Sequence, residues 1–154
     1  SLFGDQSVIE ASPSLAFSYQ ADRYPANRFY TGPKTFDKHF YARPADMNAE
    51  EALCAVLIDQ SKKVKHWGRN VEGYPAFAFW LQTSTDKFYP DFVAELTDDR
   101  YLVVEYKGKH LMTTEDTKEK EDVGRLWEAR SNGKCVFRLV GKNDYQPVLH
   151  ALLY

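Results

Sequence analysis

Residues 88–110 have the sequence FYPDFVAELTDDRYLVVEYKGKH, and this stretch decides the fold that we expect for the chain. Aromatic and β-branched residues dominate both halves of the stretch, and the polar residues 97–100 (TDDR) separate them. Such a pattern is typical of two short strands joined by a turn. The apolar residues at 92–93 and 102–104 indicate that both strands are buried.

The hairpin brings two acidic residues and a lysine to one edge of the sheet if its register places Asp91 on the face of Glu105 and Lys107. Folding the chain about residues 98–99 places Asp91 opposite position 105 or 106. Side chains alternate along a strand, so Glu105 and Lys107 share one face and Tyr106 points to the other. Carboxylates and waters are the ligands that Mg²⁺ prefers, and a nearby lysine can orient a water or neutralise charge at phosphorus. The pattern predicts a metal site that cleaves phosphodiesters.

The same residues also have a simpler interpretation. Charged residues near strand ends often form a solvated face, and a Glu-x-Lys pair on a strand commonly makes a cross-sheet ion pair. The buried character of the two strands favours the metal site, because buried charges are rare unless they are paired or bound to a metal.

Pro90-Asp91, followed after 13 residues by Glu105-x-Lys107, resembles the signature of the PD-(D/E)xK nuclease superfamily. The wider run, residues 36–140, resembles the C-terminal nuclease domain of the Res subunits of type III restriction enzymes and of related helicase-nucleases. The resemblance implies an α/β (α+β) fold with a mixed sheet, namely a restriction-endonuclease-like αβββαβ core.

A first helix is predicted from Asn48 to about Lys63. Asn48 is a favoured N-cap, and Glu51 three residues later completes a capping box. The resemblance implies that a glutamate on this helix reaches the metal site, often through water. Glu51 is the first candidate by position, Glu50 the second and Asp59 the third. A capping-box role alone is the structural alternative for Glu51, and the two roles are compatible.

Residues 62–69 (KKVKHWGR) form the densest basic stretch of the chain. Lysine and arginine contacts to phosphate dominate the affinity of proteins for nucleic acids. Lys63, Lys65 and Arg69 are therefore the predicted DNA contacts. The alternative is the start of a strand with a solvated basic rim and with Trp67 in the core. Further candidates for a phosphate contact are Gln82, Lys87, Lys118 and Lys120.

The flanking segments complete the predicted αβββαβ order. Residues 76–83 (AFAFWLQT) are predicted to form a buried strand, so that three antiparallel strands follow one another. Residues 113–131 are predicted to form a helix that buries a stripe of Val123, Leu126 and Trp127.

The two ends of the chain are assigned by the same reasoning. Residues 135–140 are predicted to form a strand that lies parallel to a neighbour, because it follows a helical crossover. Residues 146–154 are predicted to form a closing helix. We expect residues 1–35 to be an irregular N-terminal extension and residues 36–154 to be the nuclease domain.

Composition limits the classes of function. A length of 154 residues suits one domain with a sizeable core, and a net charge of −2 means that DNA would have to meet a local basic patch. Cys54 and Cys135 lie far apart in apolar patterns, which predicts buried free thiols in a reducing, cytoplasmic compartment. No Cys/His cluster indicates zinc, and no apolar run predicts a membrane span.

Together these features predict a DNA endonuclease that depends on Mg²⁺ or Mn²⁺. Asp91, Glu105 and Glu51 are expected to hold the metal, together with a backbone carbonyl near Glu105. Lys107 is expected to position the attacking water. The alternatives are a catalytically idle nuclease fold that docks DNA or assembles with partners, and a DNA repair nuclease.

The resemblance also implies partners. It implies a covalently linked helicase or translocase domain, a modification subunit and a dimer for double-strand cleavage. The chain starts at Ser1 and not at Met, and we therefore expect a fragment of a longer protein.

Overall fold

The computed structural model describes residues 20–154, and the expectations for residues 1–19 lie outside it. The described part is a mixed α/β fold with three helices and one main sheet. The main sheet has the strand order β1-β4-β5-β6, and β2 and β3 form a separate two-stranded sheet. The elements are α1 (Ala49–Gln60), β1 (Val64–Arg69), β2 (Leu81–Gln82), β3 (Lys87–Phe88), β4 (Phe92–Leu96), β5 (Tyr101–Tyr106), a short 3₁₀ helix (Lys109–Leu111), α2 (Glu115–Ala129), β6 (Cys135–Val140) and α3 (Tyr145–Leu153).

The predicted hairpin is formed by β4 and β5. The two strands are antiparallel, and Phe92 pairs with Val104, which puts Asp91 opposite Glu105. In the turn Asp99 has a φ of 69°, a left-handed conformation that aspartate adopts more readily than most residues. Every residue of both strands is buried, as the sequence predicted.

The other strand next to β4 in the main sheet is β1. The prediction that residues 76–83 form this third antiparallel strand is therefore wrong. β1 pairs antiparallel with β4, with Arg69 opposite Phe92. Within 76–83 only Leu81–Gln82 is a strand, and the Asn70 side chain bonds both backbone groups of Phe79. Phe79 and Leu81 are buried in the core that covers one face of the main sheet, although this segment is not a strand of that sheet. An apolar run alone does not distinguish a buried strand from such a covering segment.

Helix α1 begins with the predicted capping box. Asn48 Oδ1 accepts from Glu51 N, and Glu51 Oε1 accepts from Asn48 N. The helix ends at Gln60, before the predicted Lys63, because Ser61 adopts extended backbone and donates its hydroxyl to the buried Leu153 carbonyl. Leu53 fits an apolar stripe at helical spacing in the sequence, but it is 42% exposed. The buried face consists of Ala52, Cys54, Ala55, Ile58 and Asp59.

Helix α2 returns the chain to β6, which lies parallel to β5 as predicted. Trp127 is buried against the sheet, but Leu126 is 50% exposed, so its place in the predicted buried stripe is wrong. The helix packs closely because Gly124 lies over Phe137. A Cβ at position 124 would lie 2.2 Å from the Phe137 ring.

The sheet carries a hydrophobic core on each face. Val93, Val103 and Phe137 pack with Trp127 of α2, whereas Phe92 and Val104 pack with residues of α1 and α3. This alternation follows from the two-residue period of a strand. Both cysteines are buried and unpaired, as predicted. Each helix in residues 20–154 is too short or too polar to cross a membrane.

Residues 20–48 contain no helix and only isolated β-bridges, Phe29 with Ala45 and His39 with Trp67. Residues 36–41 form the second of these bridges and no regular strand. The segment nevertheless packs closely, because Tyr41 and Met47 are buried and the Tyr24 hydroxyl donates to the Arg69 carbonyl. It therefore helps to position the end of β1.

Candidate active site

A cavity of about 730 Å³ lies where β1 ends, β4 begins and β5 ends. The start of α1 and the first turns of α2 form its other walls. All four predicted catalytic residues line it, together with Arg69, one of the predicted DNA contacts. These five charged side chains are Glu51, Arg69, Asp91, Glu105 and Lys107.

Asp91 immediately precedes β4 and is bound by two donors. Its Oδ2 accepts from the Tyr106 N–H at 2.8 Å, and its Oδ1 accepts from Arg69 Nη1 at 2.8 Å. The side chain is 17% exposed, so it is reachable from the cavity. The backbone of the hairpin and the end of β1 thus fix this carboxylate from two sides.

Glu105 faces Asp91 across the hairpin. Its Oε1 accepts from the Asp91 N–H at 3.1 Å, and its Oε2 lies 3.2 Å from Lys107 Nζ. Burial, and next the Asp91 carboxylate, raise the pKa of Glu105 well above its ordinary value, although Lys107 opposes them. The predicted convergence of two carboxylates and a lysine is what the structure contains.

Lys107 is held as a cation. Burial alone would lower its pKa, but the Glu105 carboxylate outweighs that effect and the pKa lies above the ordinary lysine value. A charged ammonium donates hydrogen bonds and cannot accept a proton. Lys107 can therefore orient a water or an anionic oxygen, and it does not act as a base in this state.

Arg69 connects Asp91 to Glu51. Its Nη2 lies 3.2 Å from Glu51 Oε1, and its Nε donates to the Asp46 carbonyl at 3.1 Å. Burial would lower the arginine pKa, but the carboxylates of Asp91 and Glu51 raise it overall. The sequence suggested a DNA contact at this position, and its bonds to two site carboxylates were missed. The clue was its place at the end of a strand that pairs with Phe92, next to Asp91.

The three acidic candidates of α1 have different surroundings. Glu51 bonds both its capping partner and Arg69, and burial, then the Asp91 carboxylate, raise its pKa. Glu50 accepts from the Tyr106 hydroxyl at 3.0 Å, and burial together with this bond raises the pKa of Tyr106 to about 12. Asp59 is buried outside the cavity, where it accepts from Trp67 Nε1 and from backbone N–H groups of the preceding segment.

Two of the predicted DNA contacts lie at the opposite end of the sheet. The Lys65 ammonium lies 3.6 Å from Glu95 Oε2 and also contacts Asp99 in the hairpin turn. Lys63 is exposed, and its carbonyl accepts from Thr97 N. This agrees with the alternative interpretation of residues 62–69: β1 carries a basic rim, and Trp67 lies in the core.

Other cations line the cavity. These are Arg28, Lys87 and Lys120. Lys120 pairs with Asp116 at 3.1 Å and lies 5.2 Å from the Phe88 ring. Of the remaining phosphate candidates, Gln82 donates to the Thr83 and Asp86 carbonyls, and Lys118 is exposed on α2.

Residues 20–154 contain no group of three or more His, Cys, Asp or Glu side chains arranged to hold a metal ion. Comparison with protein-family models, with curated proteins and with solved structures found no match. Asp91 and Glu105 nevertheless suit a hard cation such as Mg²⁺, which is usually bound through one or two carboxylates and completes its shell with waters and substrate phosphates.

Proposed function

We propose that this chain is a restriction-endonuclease-like domain that hydrolyses DNA phosphodiester bonds with Mg²⁺ or Mn²⁺. The observation that carries the proposal is the Asp91–Glu105 pair: two carboxylates from neighbouring strands face each other in a cavity, with Lys107 beside them. The order of α1, three antiparallel strands, α2 and a parallel strand supports it.

The charge of the pair supports a cation at this position. Burial, and next the like charge of Asp91, disfavour ionisation of Glu105 and raise its pKa. Each carboxylate oxygen accepts one described hydrogen bond and keeps a second lone pair. A divalent cation bound there would supply Lewis-acid polarisation of the phosphate and would lower the pKa of a bound water.

The chain's own side chains would position the substrate. The Lys107 ammonium would donate to the attacking water or to a phosphate oxygen and offset the charge that develops at phosphorus. Lys87 and Lys120 line the same cavity and would contact flanking phosphates. Lys63 and Lys65, which lie beside the turn of the hairpin, would contact more distant phosphates if the duplex extends along β1.

The larger assembly remains part of the proposal. The resemblance implies that a helicase or translocase domain, a modification subunit and a second active site act with this domain. A repair nuclease would use the same cavity with different partners.

Supercoiled-plasmid nicking in Mg²⁺ or Mn²⁺ tests the proposed chemistry. We expect the wild-type domain to nick DNA, and Asp91→Asn and Lys107→Ala to lose more than about 100-fold of that rate. Arg138→Ala is the matched control, because this arginine also pairs with a glutamate, Glu128, at 2.9 Å but lies outside the cavity. Wild-type nicking that persists in Asp91→Asn would refute the site.

If the wild-type domain does not nick the plasmid, a second measurement is needed, because a linked motor domain could be required for cutting. Mn²⁺ binding followed by calorimetry would then separate the candidates. Binding that Asp91→Asn abolishes keeps the nuclease proposal, whereas DNA binding without any Mn²⁺ binding supports the idle docking module.

A further inference from the structure

Arg69 lies between the carboxylates of Glu51 and Asp91. Its Nη1 donates to Asp91 Oδ1 at 2.8 Å, and its Nη2 lies 3.2 Å from Glu51 Oε1. Arg69 thus links Glu51 to Asp91 by one contact to each carboxylate. A cation that bridged Glu51 and Asp91 directly would need this position.

The arginine is firmly held where it lies. Its Nε donates to the Asp46 carbonyl, its guanidinium carbon lies 5.4 Å from the centre of the Phe92 ring, and its side chain is only 13% exposed. Planar guanidinium groups bind carboxylates with fixed geometry and are less strongly hydrated than ammonium groups. Displacing Arg69 would remove the cation that pairs with both Glu51 and Asp91.

The charges of the connected cluster limit how many divalent cations it accepts. Three carboxylates (Glu51, Asp91, Glu105) are linked to two cationic side chains (Arg69, Lys107), which leaves one negative charge uncompensated. Within this linked cluster a single divalent cation already exceeds that charge, and a second would add to a group of five side chains that is already net positive.

On the basis of the proposed function, we infer that Arg69 takes the place of a second divalent cation. The site holds one ion, between Asp91 and Glu105. Arg69 is a positioning residue that orients Asp91 and keeps Glu51 away from the ion, so that Glu51 supports the site through the arginine and is not a ligand of the metal.

Calorimetric titration with Mn²⁺ alone tests this inference. We expect about one Mn²⁺ per chain for the wild type and for the conservative variant Arg69→Lys, and about two for Arg69→Gln, because Glu51 and Asp91 are then free to bind a cation together. The double variant Arg69→Gln/Glu51→Gln should return to about one ion. Arg138→Gln is the matched control, since Arg138 also pairs with a glutamate, Glu128, at 2.9 Å.

The outcomes separate this inference from the proposed function. Two Mn²⁺ ions in the wild type, or a single ion in a folded Arg69→Gln, would overturn the role of Arg69 and leave the nuclease proposal intact. Absence of Mn²⁺ binding to the wild type would overturn both. Circular dichroism without metal establishes which variants are folded.

A second readout needs no destabilising substitution. In ¹⁵N-arginine-labelled wild type, the Arg69 Nε–H signal is identified by its absence from Arg69→Lys. Because this N–H donates to the Asp46 carbonyl, we expect it to stay protected from solvent exchange when Mg²⁺ is added. Loss of protection on Mg²⁺ binding would show that the arginine leaves, and the inference would fail.

Discussion

The two ends of the β4–β5 hairpin each carry a buried glutamate, but the two glutamates face opposite kinds of neighbour. At the turn end, Glu95 contacts His66 Nε2 at 3.0 Å and Lys65 Nζ at 3.6 Å. At the cavity end, Glu105 contacts Lys107 and faces the carboxylate of Asp91. Both side chains are less than a tenth exposed.

This difference separates a structural ion pair from a candidate reaction centre. A carboxylate beside basic side chains is stabilised by them. A carboxylate beside another carboxylate is destabilised by the repulsion between them. A glutamate in a short strand was visible at both positions in the sequence. Only the register of the hairpin, and the cavity beside Asp91, distinguish position 105 from position 95.

The largest expected contrast concerns catalysis. Glu105→Gln should lower plasmid nicking in Mg²⁺ by more than about 100-fold, because a neutral amide holds the cation poorly. Glu95→Gln should stay within about twofold of the wild type, since Glu95 lies outside the cavity. Equal losses in both variants would mean that the two ends of the hairpin do not differ in function.

Stability should change in opposite directions at the two positions. At pH 8 without metal, Glu105→Gln should raise the free energy of unfolding by about 1 kcal/mol, because it removes a buried charge beside Asp91. Glu95→Gln should lower it by about 1 kcal/mol through weaker bonding to His66 and Lys65. Urea unfolding measures both. A loss of stability in Glu105→Gln would show that the bond to Lys107 outweighs the repulsion.

The stabilisation by Glu105→Gln should depend on pH. The pKa of Glu105 is raised in the folded state, so the unfolded chain releases this proton first as the pH rises. The contribution of Glu105 to stability is therefore highest below its ordinary pKa of 4.5 and is lost as the pH rises through the folded-state value. Urea titrations of Glu105→Gln and wild type should nearly coincide near pH 4 and separate toward pH 8. A constant difference would contradict the assignment.

The smallest effect is expected at Lys65. This lysine is 39% exposed and pairs with Asp99 at the surface as well as with Glu95. Exposed ion pairs contribute little and are screened by salt. Lys65→Gln should leave the thermal midpoint almost unchanged at high salt, and it should weaken DNA binding only if the duplex reaches this end of the sheet, which fluorescence anisotropy would detect.

Much of this arrangement follows from local sequence. The aromatic and β-branched residues on both sides of the polar turn determine the hairpin and bring Asp91 opposite position 105 or 106, of which the structure shows 105. Asn48 with Glu51 determines where α1 begins. The cysteines and the parallel β6 were also predicted correctly. In each case, the local pattern is enough to determine the structure, because the residues that interact lie within a few positions of each other or are joined by one crossover.

The errors arose where the decision depended on distant parts of the chain. Residues 76–83 are apolar enough for a strand, but the Asn70 side chain forms hydrogen bonds with both backbone groups of Phe79. The polar strand β1 occupies the position beside β4 in the main sheet. Leu126 fits a helical stripe, but the face of α2 that contacts the sheet is set by the close approach of Gly124 to Phe137. The role of Arg69 required knowing that β1 lies next to Asp91.

The two carboxylates of the candidate site also serve as acceptors for backbone N–H groups. The Asp91 amide donates to Glu105, and the Tyr106 amide donates to Asp91. The chemical shift of an amide proton responds strongly to the charge on its acceptor. Two resonances of an ordinary ¹H–¹⁵N spectrum therefore act as built-in reporters, one for each acid, and they would register a proton or a cation arriving at the pair in the unmodified protein.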